Sequence, residues 1–326
     1  MGTISRDIDL TCDVPRPVLG VGGDLKNTVT VAAGRHAWMS APVDDAADAD
    51  AHDAVRAAME EVPRECGVVP AAIAYDPHPS FLPRALALDD SLWPGVPRVP
   101  VQHHVAHIAA VAAVEHAAGP VAALACDGTG YGDDGTMWGG EILRGSLGGG
   151  YTRVGRLRPI ALPGGEAAIR DVWRIGVALA RAAGAGRGEA RFIRPTDVSD
   201  ETFDIVWRLA DETREDAILS SSAGRLFDGV AALTGVCRVA AAEAEAAIAL
   251  ESAAGDAESK SEVILPVDTR GDMAEIDWRP MVGRIVEMVR EGTDARTIAA
   301  AFHDGLARAF ADAACAAAPA GATQVL

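Results

Sequence analysis

The sequence is short of lysine, of paired cysteines and of aromatic residues, and each shortage excludes something. Lysine occurs only at Lys26 and Lys260, the other basic residues are arginine, and acids outnumber bases 47 to 29, for a formal charge of −18. Nucleic acids and anionic membranes are held by clustered Lys and Arg, so neither is expected as a partner. The five cysteines (Cys12, Cys66, Cys126, Cys237 and Cys315) lie far apart and form no C-x-x-C pair. That argues against a disulfide framework or a structural zinc module, and fits a reducing compartment. The opening MGTISRDIDLTCD carries early acids and no apolar core, so it does not read as a secretory signal, and Arg6 breaks the myristoylation pattern. No apolar run reaches the roughly 18 residues of a membrane span. A soluble, cytoplasmic protein is expected. Against these shortages stand 326 residues, 49% of them hydrophobic. That is enough to build one large or two medium cores and far too apolar for a disordered chain.

Apolar runs of β-branched residues punctuated by glycine predict strands at 18–21, 28–31 and 37–40, the last set off by Gly34. Alanine-rich periodicity predicts a helix over 46–61, followed by strands at 71–75 and 99–102 and a helix over 103–117. A second unit opens after Gly119-Pro120 with strands at 121–126, 138–144 and 151–160. Helices are expected at about 167–184, 203–211, 222–235, 240–254, 279–291 and 296–315, with short strands near 262–268 and 274–277. Strands alternating with helices imply an α/β architecture. The stretch 253–262 reads as a polar loop, and the closing Thr323-Gln324-Val325-Leu326 as the first half of a buried strand, as in a truncated domain.

Two segments carry most of the chemical signal. In Val101-Gln102-His103-His104-Val105-Ala106-His107, His103 and His107 are four apart at a helix start, so their imidazoles share a face and suit a common metal. Two unrelated histidines would show the same spacing. His104 points off that face, either as an acid/base group or as a surface histidine. In CDGTGYGDDGTMWGGE, Asp127 ends an apolar strand and is followed by Gly128, Thr129, Gly130 and Gly132. Such glycines let backbone N–H groups approach a phosphate, and an Asp at a strand end can hold a bridging metal; the plain alternative is an Asp-Gly hairpin. The segment lacks the G-K-[ST] of a Walker loop, and a strand rather than a helix follows it. Weaker signals are the polar turn Gly23-Asp24-Leu25-Lys26-Asn27-Thr28, the Leu162-Pro163-Gly164-Gly165-Glu166 loop before a helix, and Ser220-Ser221-Ser222 capping a helix that carries Gly224 and Asp228.

GGDLKNT, AYDPHPSFL, VQHHVAHIA, DGTGYGDDGTMWGGE, LPGGEAAIRDVWR and SSSAGRLFDGVAALTG, in that order over about 18–251, resemble the C-terminal carbamoyltransferase region of the HypF hydrogenase-maturation family. Threonylcarbamoyl transferases of the TsaD type and antibiotic O-carbamoyltransferases are related. The resemblance implies a two-lobed actin and sugar-kinase-like fold, each lobe a mixed sheet flanked by helices. The expected division is an extension at 1–17, a first lobe at 18–118 and a second at 119–326. It implies a divalent metal (iron or zinc, with magnesium as the alternative) held by His103, His107 and Asp127. It gives ATP or carbamoyl-adenylate to Gly128, Thr129, Gly130, Gly132, Gly224 and Asp228 and places Lys26 at the cleft; Lys26 and His104 are the candidate catalytic residues. The carbamoyl group would pass to the C-terminal cysteine thiolate of a HypE-like acceptor, on the route to the cyanide ligand of [NiFe]-hydrogenase.

The sequence also departs from that family. Full HypF chains carry an acylphosphatase domain, C-x-x-C zinc modules and a YrdC-like adenylating domain, none of which is found here, so a separate YrdC-like partner is expected. Family members continue past the final strand to an N-D-G-G segment with another metal-ligating Asp. Val105, Glu166, Asp171-Val172 and Ala244-Glu245 replace usual family residues. Two alternatives follow: an O-carbamoyltransferase for a small hydroxylated metabolite, or a non-catalytic nucleotide-binding assembly subunit.

Overall fold

In a computed structural model the described residues are 3–45, 49–117, 119–257, 263–271, 273–320, 322 and 324–326. They form two compact units, Met1–Pro120 with Ser146–Gly150, and Val121–Gly145 with Tyr151–Leu326. Both are α/β. The first runs β1 (Ile4–Gly20), β2 (Leu25–Asn27), β3 (Thr30–Ser40), β4 (Val43–Asp45), α1 (Ala49–Glu65), β5 (Ala72–Tyr75), α2 (Leu82–Leu88), β6 (Arg98–Pro100) and α3 (His103–Val114). Its sheet has the order β3-β1-β5-β6, with β1 antiparallel to β3 and parallel to β5, while β2 and β4 pair as a separate ribbon. Leu19, Val21, Val31, Val55, Met59 and Ile73 close its core between sheet and α1.

Two strand predictions need correction here. β1 begins at Ile4, so most of the 1–17 segment pairs in the sheet instead of forming an extension. The runs at 28–31 and 37–40 belong to one strand, β3, in which Gly34 sits at φ +56° opposite Val14, at a register shift. Bulges let the long arms stay paired where the alternation fails. The predicted helix start at 46–48 lies outside the described residues.

The second unit runs β7 (Val121–Tyr131), β8 (Met137–Ser146), β9 (Gly150–Leu157), β10 (Ile160–Ala161), α4 (Glu166–Arg170), α5 (Trp173–Ala182), α6 (Asp200–Leu209), β11 (Leu219–Ser220), α7 (Ala223–Thr234), α8 (Glu245–Ala254), β12 (Val267–Asp268), β13 (Ala274–Ile276), α9 (Arg279–Arg290) and α10 (Ala295–Ala317). Its sheet has the order β10-β11-β8-β9-β13-β12, and β7 pairs antiparallel with β8. Leu326 accepts from Leu124 N and donates to Ala122 O, so the closing residues do line up beside β7; Val325 there is exposed, not buried as a core strand. The single helix expected over 167–184 is broken at Asp171-Val172, where Trp173 N turns away to donate to Arg238 O. No helix among the described residues is long and apolar enough to cross a membrane.

Caps fix the helices that matter below. Ser222 Oγ accepts from Arg225 N at the start of α7, and Gly235 ends it in the left-handed conformation. The second core gathers Ile142, Leu157, Trp173, Phe203, Leu226 and Trp278. Trp278 is fully buried, and its Nε1 donates to Arg158 O at 2.7 Å. Trp278→Ala removes both the indole volume and that bond, and is expected to cost about 3–5 kcal/mol, read as a lower denaturant midpoint.

Candidate functional site

In the first unit, β5 ends at Tyr75 and hands the chain to Asp76, while Gln102 caps α3 by accepting from Val105 N. The cap places His103 in the first turn, and the four-residue spacing sets His107 above it. Asp76 Oδ2 lies 2.6 Å from His103 Nδ1, with Asp76 10% and His103 19% exposed at the side chain. The carboxylate accepts, so Nδ1 carries the ring proton and the lone pair of His103 is on Nε2. That Nε2 lies 3.2 Å from His107 Nε2. Two nitrogens bound to one ion at about 2.0–2.1 Å stand about 2.9 Å apart at a right angle and about 3.4 Å apart at a tetrahedral angle. The observed separation lies between these, and the carboxylate behind His103 is the usual orienting partner of a ligating imidazole. The spacing is also that of a hydrogen bond from one ring to the other.

Asp76 went unnoticed in the sequence because an Asp before Pro reads as a turn. It also accepts from His78 N, and His78 stacks on Phe81 with ring centroids 4.0 Å apart. Burial is the largest influence on the His78 imidazole and moves its pKa below the ordinary range, against Asp76 and Asp24. Asp76, His103 and His107 line a pocket of about 480 Å³ with Gly22, Gly23 and Thr28. Asn27, almost fully buried, holds that glycine turn by donating to Val21 O and Gly23 O at 2.7 and 2.6 Å. Lys26 is exposed on the same turn at φ +49°. The turn lies in the connection between the antiparallel neighbours β1 and β3, and within it Leu25 and Asn27 pair with Asp45 and Val43 of β4. His104 is fully buried, with Gln102 Nε2 3.3 Å from its Nδ1, which corrects the surface reading of this residue.

The remaining predicted site residues are in the second unit. Asp127 does not end its strand: β7 continues to Tyr131 through a register shift between Cys126 and Gly130. The irregular stretch Asp127-Gly128-Thr129 faces the first turn of α7. Ser222 Oγ is 2.7 Å from both Asp127 O and Gly128 O, and Gly128 N donates to Asp127 Oδ1. Two glycines make the approach feasible. A Cβ on Gly224 would stand 2.8 Å from Gly128 Cα, and one on Gly139, at φ +151°, would stand 2.5 Å from Asp127 O. Gly132 packs against the Trp138 indole. Thr129 is exposed and donates to Gly128 O, and Gly130 is buried opposite Trp138.

Behind this junction lies a buried ion network that the sequence did not announce. Glu141, fully buried, accepts from Arg153 Nε at 2.5 Å, from Ser221 Oγ, and from Gly139 N at 3.2 Å. Arg153 also pairs with Asp134 at 3.0 Å and lies 3.9 Å over the Trp138 ring. Cys126 reaches the surface, yet desolvation of its sulfur and the carboxylates of Asp127 and Glu141 push its thiol up to about 11. It is thus a poor nucleophile at neutral pH.

Asp228 is buried one turn into α7, with its Oδ2 2.9 Å from Arg225 Nη2. Burial pushes its pKa up to about 6 from 3.8, against the pull of Arg225. Between about pH 6 and pH 4 the folded chain takes up a proton that the unfolded chain does not, so the stability contribution of Asp228 rises as pH falls through that window. Wild type is therefore expected to gain on the order of 2–3 kcal/mol relative to Asp228→Asn between pH 7 and pH 4, read from paired denaturant titrations.

Comparisons with known proteins give the family. Residues 13–114 match the HypF Kae1-like domain, and residues 123–326 match the second subdomain of the carbamoyltransferase Kae1-like domain. Carbamoyltransferase HypF2 of Cupriavidus necator is 41% identical over 254 residues, covering 78% of this chain and 30% of the relative. Carbamoyltransferase HypF of Rhizobium leguminosarum bv. viciae is 36% identical over 321 residues, covering 95% and 39%. The crystal structure of full-length HypF in the phosphate- and nucleotide-bound form superposes with a TM-score of 0.83 at 32% identity, over 95% of this chain and 40% of that one. The chain spans less than half the length of each of these relatives. It belongs to the HypF family and consists of the family's Kae1-like region.

Proposed function

We propose that this chain is a carbamoyl-transfer module: it binds carbamoyl-adenylate and passes the carbamoyl group to the C-terminal cysteine thiolate of a HypE-like acceptor in hydrogenase maturation, a C–S bond forming as the bond to the phosphate oxygen breaks and AMP leaves. The observation that carries the reading is the Asp76–His103–His107 arrangement, a prepared pair of imidazole nitrogens beside an open pocket. His103 and His107 would hold a divalent metal, iron or zinc by the nature of the donors, and the resemblance gives Asp127 the same task. When bound, the metal supplies Lewis-acid polarisation of a carbonyl.

The chain's own residues do the rest. Asp76 keeps the His103 proton on Nδ1 and so keeps Nε2 available. Lys26, on the turn between the pocket-lining Gly23 and Thr28, is the proposed side chain for stabilising negative charge near the transferred group. The Gly128–Gly132 segment and Gly224 serve nucleotide phosphates, and Asp228 the ribose. His104 is left out as a proton carrier because it is buried. The raised Cys126 thiol supports an acceptor thiolate supplied by a partner. Carbamoyl-adenylate would come from a separate YrdC-like protein or domain, in the cytoplasm.

The test combines metal titration with transfer from supplied carbamoyl-adenylate to an acceptor peptide ending in cysteine. His103→Ala and His107→Ala are expected to lose metal by at least about a hundredfold, and Asp76→Asn by about 10–100-fold, with transfer falling in parallel. A wild-type chain that binds neither divalent metal nor nucleotide contradicts the enzyme reading.

A further inference from the structure

Arg225 lies in the first turn of α7 with its side chain 9% exposed. Of its guanidinium nitrogens, Nη2 faces Asp228 Oδ2 at 2.9 Å, whereas Nε and Nη1 are buried and have no hydrogen-bond partner among the described residues. Nη2 also lies 3.8 Å from the position of a Cβ on Gly128, which sets the guanidinium against the Asp127–Gly128 backbone. A buried arginine stays charged, and each donor left unmade carries a desolvation cost that native structures rarely tolerate.

The other buried arginine of this region serves as a contrast. Arg153, 11% exposed, uses Nε, Nη1 and Nη2 on Glu141, Asp134 and Ser221. Arg225 is paired with Asp228, and that acid is itself shifted toward its neutral form by burial. The surroundings add positive character: α7 is twelve residues long and its N-terminal turn, with the dipole's positive end, opens on the same backbone. Gly128 and Gly224 leave no side chain between them.

We propose that Arg225 is the phosphate-reading residue of the second unit, donating from Nε and Nη1 to phosphoryl oxygens of a bound adenine nucleotide while Nη2 stays on Asp228. The assignment rests on the nucleotide reading given above and names the residue that recognises the anion in it. A guanidinium fits because it offers separate donors in a rigid plane, one edge to the acid and the others to the ligand. No bond is made or broken; the role is binding.

The test compares AMP with adenosine, which differ by the phosphate alone, by calorimetric titration of the full chain. Wild type is expected to bind AMP more tightly than adenosine. Arg225→Gln should weaken AMP by about 10–100-fold and leave adenosine within about twofold. Arg225→Lys keeps the charge without the fork and should fall between the two; it also serves if the glutamine variant does not fold, which a thermal melt reports. If the folded variants keep the wild-type ratio of AMP to adenosine affinity, the assignment of Arg225 is overturned while the nucleotide reading stands. If variants lose AMP and adenosine alike, Arg225 is a structural residue and the proposal fails. If wild type binds neither, the nucleotide reading falls and the Arg225 assignment with it.

Discussion

The second unit depends on one constraint: the first turn of α7 must lie directly on the β7–β8 hairpin, backbone against backbone. Ser222 satisfies two hairpin carbonyls and caps the helix with the same hydroxyl. Gly224 and Gly139 carry no side chain where a Cβ would push the two layers apart. Glu141 is buried beneath that contact and is matched by Arg153, Ser221 and backbone N–H groups. Asp127 is turned out of a regular strand by it, and Arg225 and Asp228 are carried to it by the helix.

The same contact explains why charge is concentrated where water is scarce. A buried ion pair is not a source of stability by itself, since desolvation offsets the attraction. The Glu141 cluster is well satisfied and fixes the position of β8 under α7. The Arg225–Asp228 pair is not, and its unsatisfied donors and elevated carboxyl give it the properties of a binding group. In the first unit the equivalent economy is smaller: one carboxylate, Asp76, fixes one imidazole, and helix periodicity supplies the second.

Much of this was legible in the sequence, for identifiable reasons. The serine cap announced α7, because Ser220–Ser222 precede an apolar periodic run, whereas α3 was read from its apolar run alone. The His103–His107 pairing followed from spacing, and family resemblance added the fold and the roles. What stayed hidden was burial. Asp76, Arg225 and Glu141 were not singled out, because no local pattern marks a charge that the fold encloses. The burial of His104 was hidden for the same reason, which left its reading open between an acid/base group and a surface histidine. The start of β1 was lost because Arg6, Asp7, Asp9 and Asp13 obscure the alternation, and a two-residue strand such as β11 leaves no periodicity to detect. The helix break at Asp171-Val172 depends on a backbone bond to distant Arg238.

The claim that the β7–α7 junction is the nucleotide-binding element is tested most directly by amide hydrogen exchange of the full chain with and without ATP. The structure predicts slowed exchange concentrated in peptides spanning 126–132 and 220–230. Unchanged exchange in both segments, with ATP shown to be bound, would contradict it.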